Sequence, residues 1–179
     1  VITQTLTVHE ILNHNHFLEM VLERFDIRHN HHQQTLAGIS YAKGLELDFL
    51  VEILNLFDSD EPFNKDNLMH YSVPVVLDYL QRTHKYYLGK RLFELEHTIH
   101  RIGQEHCKDL LLTTLLNSFF KEFKTGLWEH IEMEENFLFP HINMLLQAQS
   151  GKLNSLTLQL KLKNFSAKKF IAEHNDESE

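Results

Sequence analysis

The chain has 179 residues, a formal net charge of −8, fourteen histidines, six glycines, three prolines and a single cysteine. The acidic balance argues against a nucleic-acid partner, which needs a basic face, and lone Cys107 rules out both a disulfide framework and a thiolate zinc site. No apolar run approaches the ~20 residues that span a bilayer, and Val1-Ile2-Thr3-Gln4-Thr5 lacks the basic start and apolar block of a signal peptide.

A reducing, cytoplasmic setting with no membrane is therefore expected. The sequence begins without an initiator methionine, so trimming at its start is expected as well. Scarce Gly and Pro, abundant Leu and Phe, and apolar residues recurring near a 3.6 period predict an all-α protein. The length suits one ordinary domain with a small appendage.

Residues 8 to 26 read as one helix, with Ile11, Leu12, Leu18, Val21, Leu22 and Phe25 on its apolar side and Thr7 as N-cap. His9-Glu10-Ile11-Leu12-Asn13 nearly matches the zinc-protease pattern HExxH, but the second histidine falls at His14, one residue late and off the face, so the match is rejected. His29-Asn30-His31-His32 reads as a solvated histidine-rich loop. Helices near 33 to 42 and 46 to 57 complete a small helical N-terminal domain, residues 1–60. The acidic, breaker-rich stretch that follows is read as a linker over 61–71.

A larger domain, 72–179, opens at Ser72-Val73-Pro74, where Ser72 can cap and Pro74 fits the first turn. Its first helix carries Leu77, Leu80, His84, Leu88, Leu95, Ile99 and Ile102 in a row, and His84 is the one polar member. His97 and His100 fall off that row and should face solvent. Gly103 is expected to end the helix.

The next helix, from near Lys108, holds the most informative stretch of the chain. Leu112, Leu116, Phe119, Phe123 and Leu127 step by three and four, and the same steps continue onto His130, Glu134 and Leu138. His130 and Glu134 are one turn apart and point the same way, into what should be a core. A carboxylate there must be paired, protonated or bound to metal, because a lone buried charge costs several kcal/mol. Pro140 should kink or stop the helix, which resumes to about Gln149.

Beyond it, Ser155 to Lys163 alternates with period two and reads as an extended connector. A last helix from near Asn164 turns Phe170, Ile171 and His174 inward.

In an antiparallel hairpin, residues equally far from the turn lie side by side. His84 is about nineteen residues before Gly103 and His130 about twenty-two after Lys108, which makes them level to within a turn. His174 is about ten residues past Asn164, as His130 is before Pro140, so a chain that doubles back there brings it to the same layer. Imidazoles with a carboxylate inside a helical bundle suit iron, although two irons need more ligands than these four. The ferritin-like arrangement is disfavoured, since only Glu94-x-x-His97 fits its motif, on the wrong face. Hydrolytic zinc chemistry with Glu134 as base is a minor alternative.

The segment His130-x-x-x-Glu134-Glu135-x-x-Leu138-Phe139-Pro140, with Thr83-His84-Lys85-Tyr86-Tyr87-Leu88 and Glu173-His174-Asn175-Asp176, resembles the hemerythrin-like (HHE cation-binding) domain, in particular the repair-of-iron-centres branch. The resemblance covers about residues 70 to 179. It implies an up-down four-helix bundle around a non-haem di-iron centre, with His84, His130, Glu134 and His174 as iron ligands and Glu134 as a bridge. It implies oxygen or nitric oxide as small ligands, iron–sulfur proteins as partners, and a role in iron–sulfur centre repair or the response to nitric oxide and oxidative stress. The family's fourth helix brings a second His-x-x-x-Glu motif that this sequence does not reach. Half a site is therefore expected here, completed by further chain, by the N-terminal unit or by a second subunit as a homodimer. The cysteine pair of some relatives' N-terminal domain is absent, and no thiol chemistry carries over from it.

A sensing or binding module without catalysis is the alternative from another class, in which a diatomic ligand at iron shifts a contact of the N-terminal unit. In a third, structural reading the histidines are hydrogen-bonded core residues and no metal binds. No nucleophilic triad, phosphate-binding glycine loop or paired acid and base is present in the sequence, so ordinary hydrolase or kinase chemistry is not expected.

Overall fold

A computed structural model describes residues 1–59, 65–105 and 110–152. Cys107, the alternating 155–163 segment and the expected helix with His174 lie outside them. The described chain is all-helical: α1 Val8–His14, α2 Glu19–Arg24, α3 Leu36–Lys43, α4 Leu47–Asp58, α5 Val73–Tyr86, α6 Leu92–Glu105, α7 Leu110–Met133 and α8 Phe139–Gln149. It divides into two compact units, Val1–Glu94 and a second that begins at Leu95.

The first unit is a small orthodox core. Thr7 caps α1 as expected: its hydroxyl accepts from Glu10 N–H while the Glu10 carboxylate accepts from Thr7 N–H at 2.8 Å. The helix expected to run unbroken from 8 to 26 instead stops at Asn15, which is extended at φ −149°, and a short turn at His16–Leu18 leads into α2. Asn15 makes the break worthwhile in both directions. Its Oδ1 accepts from Phe17 N–H at 3.0 Å, and its Nδ2 donates to Asp58 at the far end of α4, also at 3.0 Å.

α3 is capped by Thr35 and ends on Gly44 at φ 65°, the left-handed position that glycine takes without steric cost. Ile11, Leu36, Ile39, Leu50 and Leu54 are fully buried. Ile2 pins the chain start to α4 through paired bonds with the Asn55 amide, 2.7 and 2.9 Å.

This unit extends beyond the segment expected to be a linker. Tyr79 on α5 belongs to its core, stacked on Phe25 with ring centroids 5.4 Å apart and edge-on to Phe49 at 5.6 Å, while Val75 and Val76 pack beside it. Ser72 stands at the N-cap of α5 with Pro74 in the first turn, as expected, although its side chain makes no capping bond.

Among the described residues, two widened π turns interrupt the helices. One, Tyr87–Arg91, joins α5 to α6, and the other, Glu134–Leu138, joins α7 to α8. The second explains how the helix survives Pro140. Phe139 N–H already reaches five residues back to Glu134 C=O, and Pro140 enters in the first turn of α8, where its missing N–H is least costly.

Gly103 does not end its helix either, because α6 runs past it to Glu105. Its bare Cα instead admits α7 closely: a Cβ there would sit 2.9 Å from Thr113 Cγ2.

The apolar stripe of α7 is also rotated from expectation. Leu112, Phe119 and Phe123 are exposed, the middle one by 67%, and Phe120 and Ile131 are the buried residues. So many positions of α7 are apolar that two neighbouring faces qualify, and packing selects one.

Candidate functional site

His84 sits in the last turn of α5 and is 7% exposed, a buried histidine on the apolar row that the sequence assigned to it. The π turn begins three residues later. There, Tyr87 N–H is shared between the carbonyls of Thr83 and His84.

In the second unit His130 lies near the end of α7, and Glu134 is the first residue of the other π turn. Their Nε2 and Oε1 atoms are 3.7 Å apart. That distance suits an ion pair if His130 is protonated, and equally two donors aimed at a common point. Glu134 is mostly buried, its side chain 13% exposed, and His130 is about one-third exposed. Ile131, between the two, and Phe139, five residues past Glu134, are buried.

A π turn adds a residue to one turn of helix and so re-aims whatever follows it. Such turns recur at functional sites, and here one opens on a candidate carboxylate while the other begins three residues after a candidate imidazole.

In kind, an imidazole nitrogen and a carboxylate oxygen fit iron. In number, the described residues give only a pair: among them, no three His, Cys, Asp or Glu side chains gather closely enough to hold an ion. His174 lies outside the described residues. The described residues are therefore consistent with part of a ligand shell.

The other histidines fall where the spacing placed them. His97 and His100 are exposed, and His100 meets Gln104 at 2.7 Å. Glu94 is occupied by Arg91 at 3.3 Å and Lys90 at 3.7 Å. In the near-miss zinc motif Glu10 serves the α1 cap and His14 pairs with Asp58 at 2.9 Å. His29 is well exposed and pairs with Glu19 at 3.1 Å, in keeping with a solvated loop.

One residue escaped the sequence reading. His141, just after Pro140, is half-buried, and burial pushes its imidazole below the usual histidine range. Burial thus favours its neutral form, the one in which histidine binds metals. Its position one residue past the proline was the available signal.

Among the described residues no helix is long and apolar enough to cross a membrane. No protein-family model matches the chain, and neither does any curated protein sequence or solved structure.

Proposed function

We propose that the chain is a hemerythrin-like non-haem iron protein whose second unit supplies part of a di-iron site in a four-helix bundle, acting in iron–sulfur centre repair or the response to nitric oxide and oxidative stress. The observation that carries this is the His130–Glu134 pair, two partly buried ligand-type groups 3.7 Å apart where α7 passes into a π turn. His84, buried beside the other π turn, is the next ligand of the proposed set, and His174 the fourth.

Iron bound there would supply reversible binding of small diatomic ligands or would itself be handed on to a damaged cluster. The chain's own residues have simpler tasks. His130 and Glu134 present one nitrogen and one oxygen from a single helical face, so their spacing is fixed by the helix itself. Ile131 and Phe139, both nearly fully buried, anchor α7 and the start of α8 on either side of Glu134.

The deciding experiment is metal content by mass spectrometry on protein purified with its natural C-terminus, with an absorption spectrum in air. About two irons per chain with oxo-bridge absorption are expected, lost in a His130→Ala, Glu134→Ala double variant. A metal-free protein with unchanged helicity refutes the proposal and leaves the histidines as ordinary core residues. With iron present, a partner contact that responds to nitric oxide without loss of metal would identify a sensor, and transfer of iron to an apo-cluster protein would identify a repair factor.

A further inference from the structure

A second candidate site lies wholly within the first unit, where α2, the segment after it and the second half of α5 border a cleft of about 640 Å³. Three carboxylates line it and each is already engaged. Asp78 holds Arg82 at 2.6 Å, Asp26 holds Arg28 at 3.1 Å, and Glu23 holds Lys90. Two cations on its wall, Arg24 and Lys85, have no carboxylate partner among the described residues. Five cations against three carboxylates leave the cleft formally at +2, in a chain whose net charge is −8.

Arg24 is the unusual member. It is 7% exposed, its guanidinium carbon lies 4.8 Å from the Phe57 ring centroid and 5.6 Å from that of Tyr87, and its Nη1 donates to the Tyr79 hydroxyl at 2.6 Å. Its Nε is buried with no hydrogen-bond partner. Aromatic faces attract the cation but do not neutralise it. Tyr79 does not neutralise it either, because burial raises the hydroxyl's pKa and keeps it a phenol. A guanidinium on the cleft wall with no carboxylate partner among the described residues is the arrangement that an oxyanion completes, since its planar fork matches phosphate or carboxylate oxygens two at a time.

We propose that this cleft binds the phosphate group of a small phosphomonoester, with Arg24 and Lys85 as its two unpaired cations and Tyr86, which also lines the cleft, beside the organic part. The dianion matches the surplus of two charges, and the volume falls in the range of metabolite-sized sites.

The test is calorimetric titration of the full chain with phenyl phosphate and with inorganic phosphate, at constant ionic strength. Saturable binding of phenyl phosphate is expected, weakened about tenfold or more by Lys85→Ala and by Arg24→Met. Lys85 is exposed, so its variant should fold even if the Arg24 variant does not, and Arg24→Lys then serves as the second probe. Failure of both probes to saturate overturns the site, as does undiminished binding in Lys85→Ala. Saturation by inorganic phosphate with exclusion of phenyl phosphate overturns the ester assignment. None of these outcomes depends on iron.

Discussion

The break at Asn15 is held by a distant residue, and removing that residue should show it. Asp58 accepts from Asn15 Nδ2 at 3.0 Å and meets His14 Nε2 at 2.9 Å, and its own side chain is only 12% exposed. A hydrogen bond to a mostly buried carboxylate contributes about 1.5–3 kcal/mol, and the arm to exposed His14 adds roughly 0.5 kcal/mol. Asp58→Ala should therefore cost about 2 kcal/mol, which lowers the melting temperature of a unit this size by roughly 10 °C.

The assay is built into the sequence. All five tyrosines lie in the first unit and the one tryptophan, Trp128, in the second, so tyrosine absorbance follows the affected unit. The Asn15 bond, ahead of the His14 contacts, holds the Asp58 carboxyl below its usual range. A depressed carboxyl stabilises the fold above its unfolded pKa of about 3.9 and loses that contribution as pH falls through the lower folded value. The gap between wild type and Asp58→Ala should accordingly be full at neutral pH and shrink below about pH 4. A shift under roughly 2 °C, or a gap that stays constant into acid, would refute this account of the break.

The rotated stripe of α7 separates two adjacent phenylalanines. By urea denaturation followed at Trp128, Phe120→Ala should cost about 3–5 kcal/mol, whereas Phe119→Ser should change stability by less than about 0.5 kcal/mol. Equal costs would restore the stripe read from spacing. Gly103→Ala gains helix propensity but drives a Cβ to 2.9 Å from Thr113 Cγ2, so a net loss near 1 kcal/mol is expected. Adding Thr113→Ser removes that methyl and should turn the change into a gain of up to about 1 kcal/mol; a double variant no more stable than Gly103→Ala alone would sink the argument. Because burial lowers the His141 pKa, its contribution is present above the unfolded value of about 6.5 and is lost as pH falls through the folded one. The urea midpoint of the second unit should thus fall between about pH 7.5 and 5.5, and fall less in His141→Gln; identical pH slopes in the two proteins would contradict this.

Both histidine placements that matter most, His84 turned inward on α5 and His130 one turn from Glu134, were legible in the sequence, and so was the Thr7 cap. Each depends on residues within a turn or two of one another, where 100° per residue fixes direction. The limits of α3 and α4 were legible to within a few residues for the same reason.

Other features depend on residues far apart in the chain. The end of α1 is set by a bond from Asn15 to Asp58, and α5 joins the first core because Tyr79 meets Phe25 and Phe49. Arg24 is buried by Phe57, Tyr79 and Tyr87, all more than thirty residues away along the chain.

The face α7 buries was undetermined for a different reason. Leu111, Leu112, Leu115, Leu116, Phe119, Phe120 and Phe123 make more than one side of the helix apolar, and hydrophobicity has no direction of its own. The sequence determined which residues could face inward and how neighbours along a helix align. Tertiary packing decided which face was taken, where helices broke and which charges lost their partners, because those outcomes depend on contacts between residues that no local period relates.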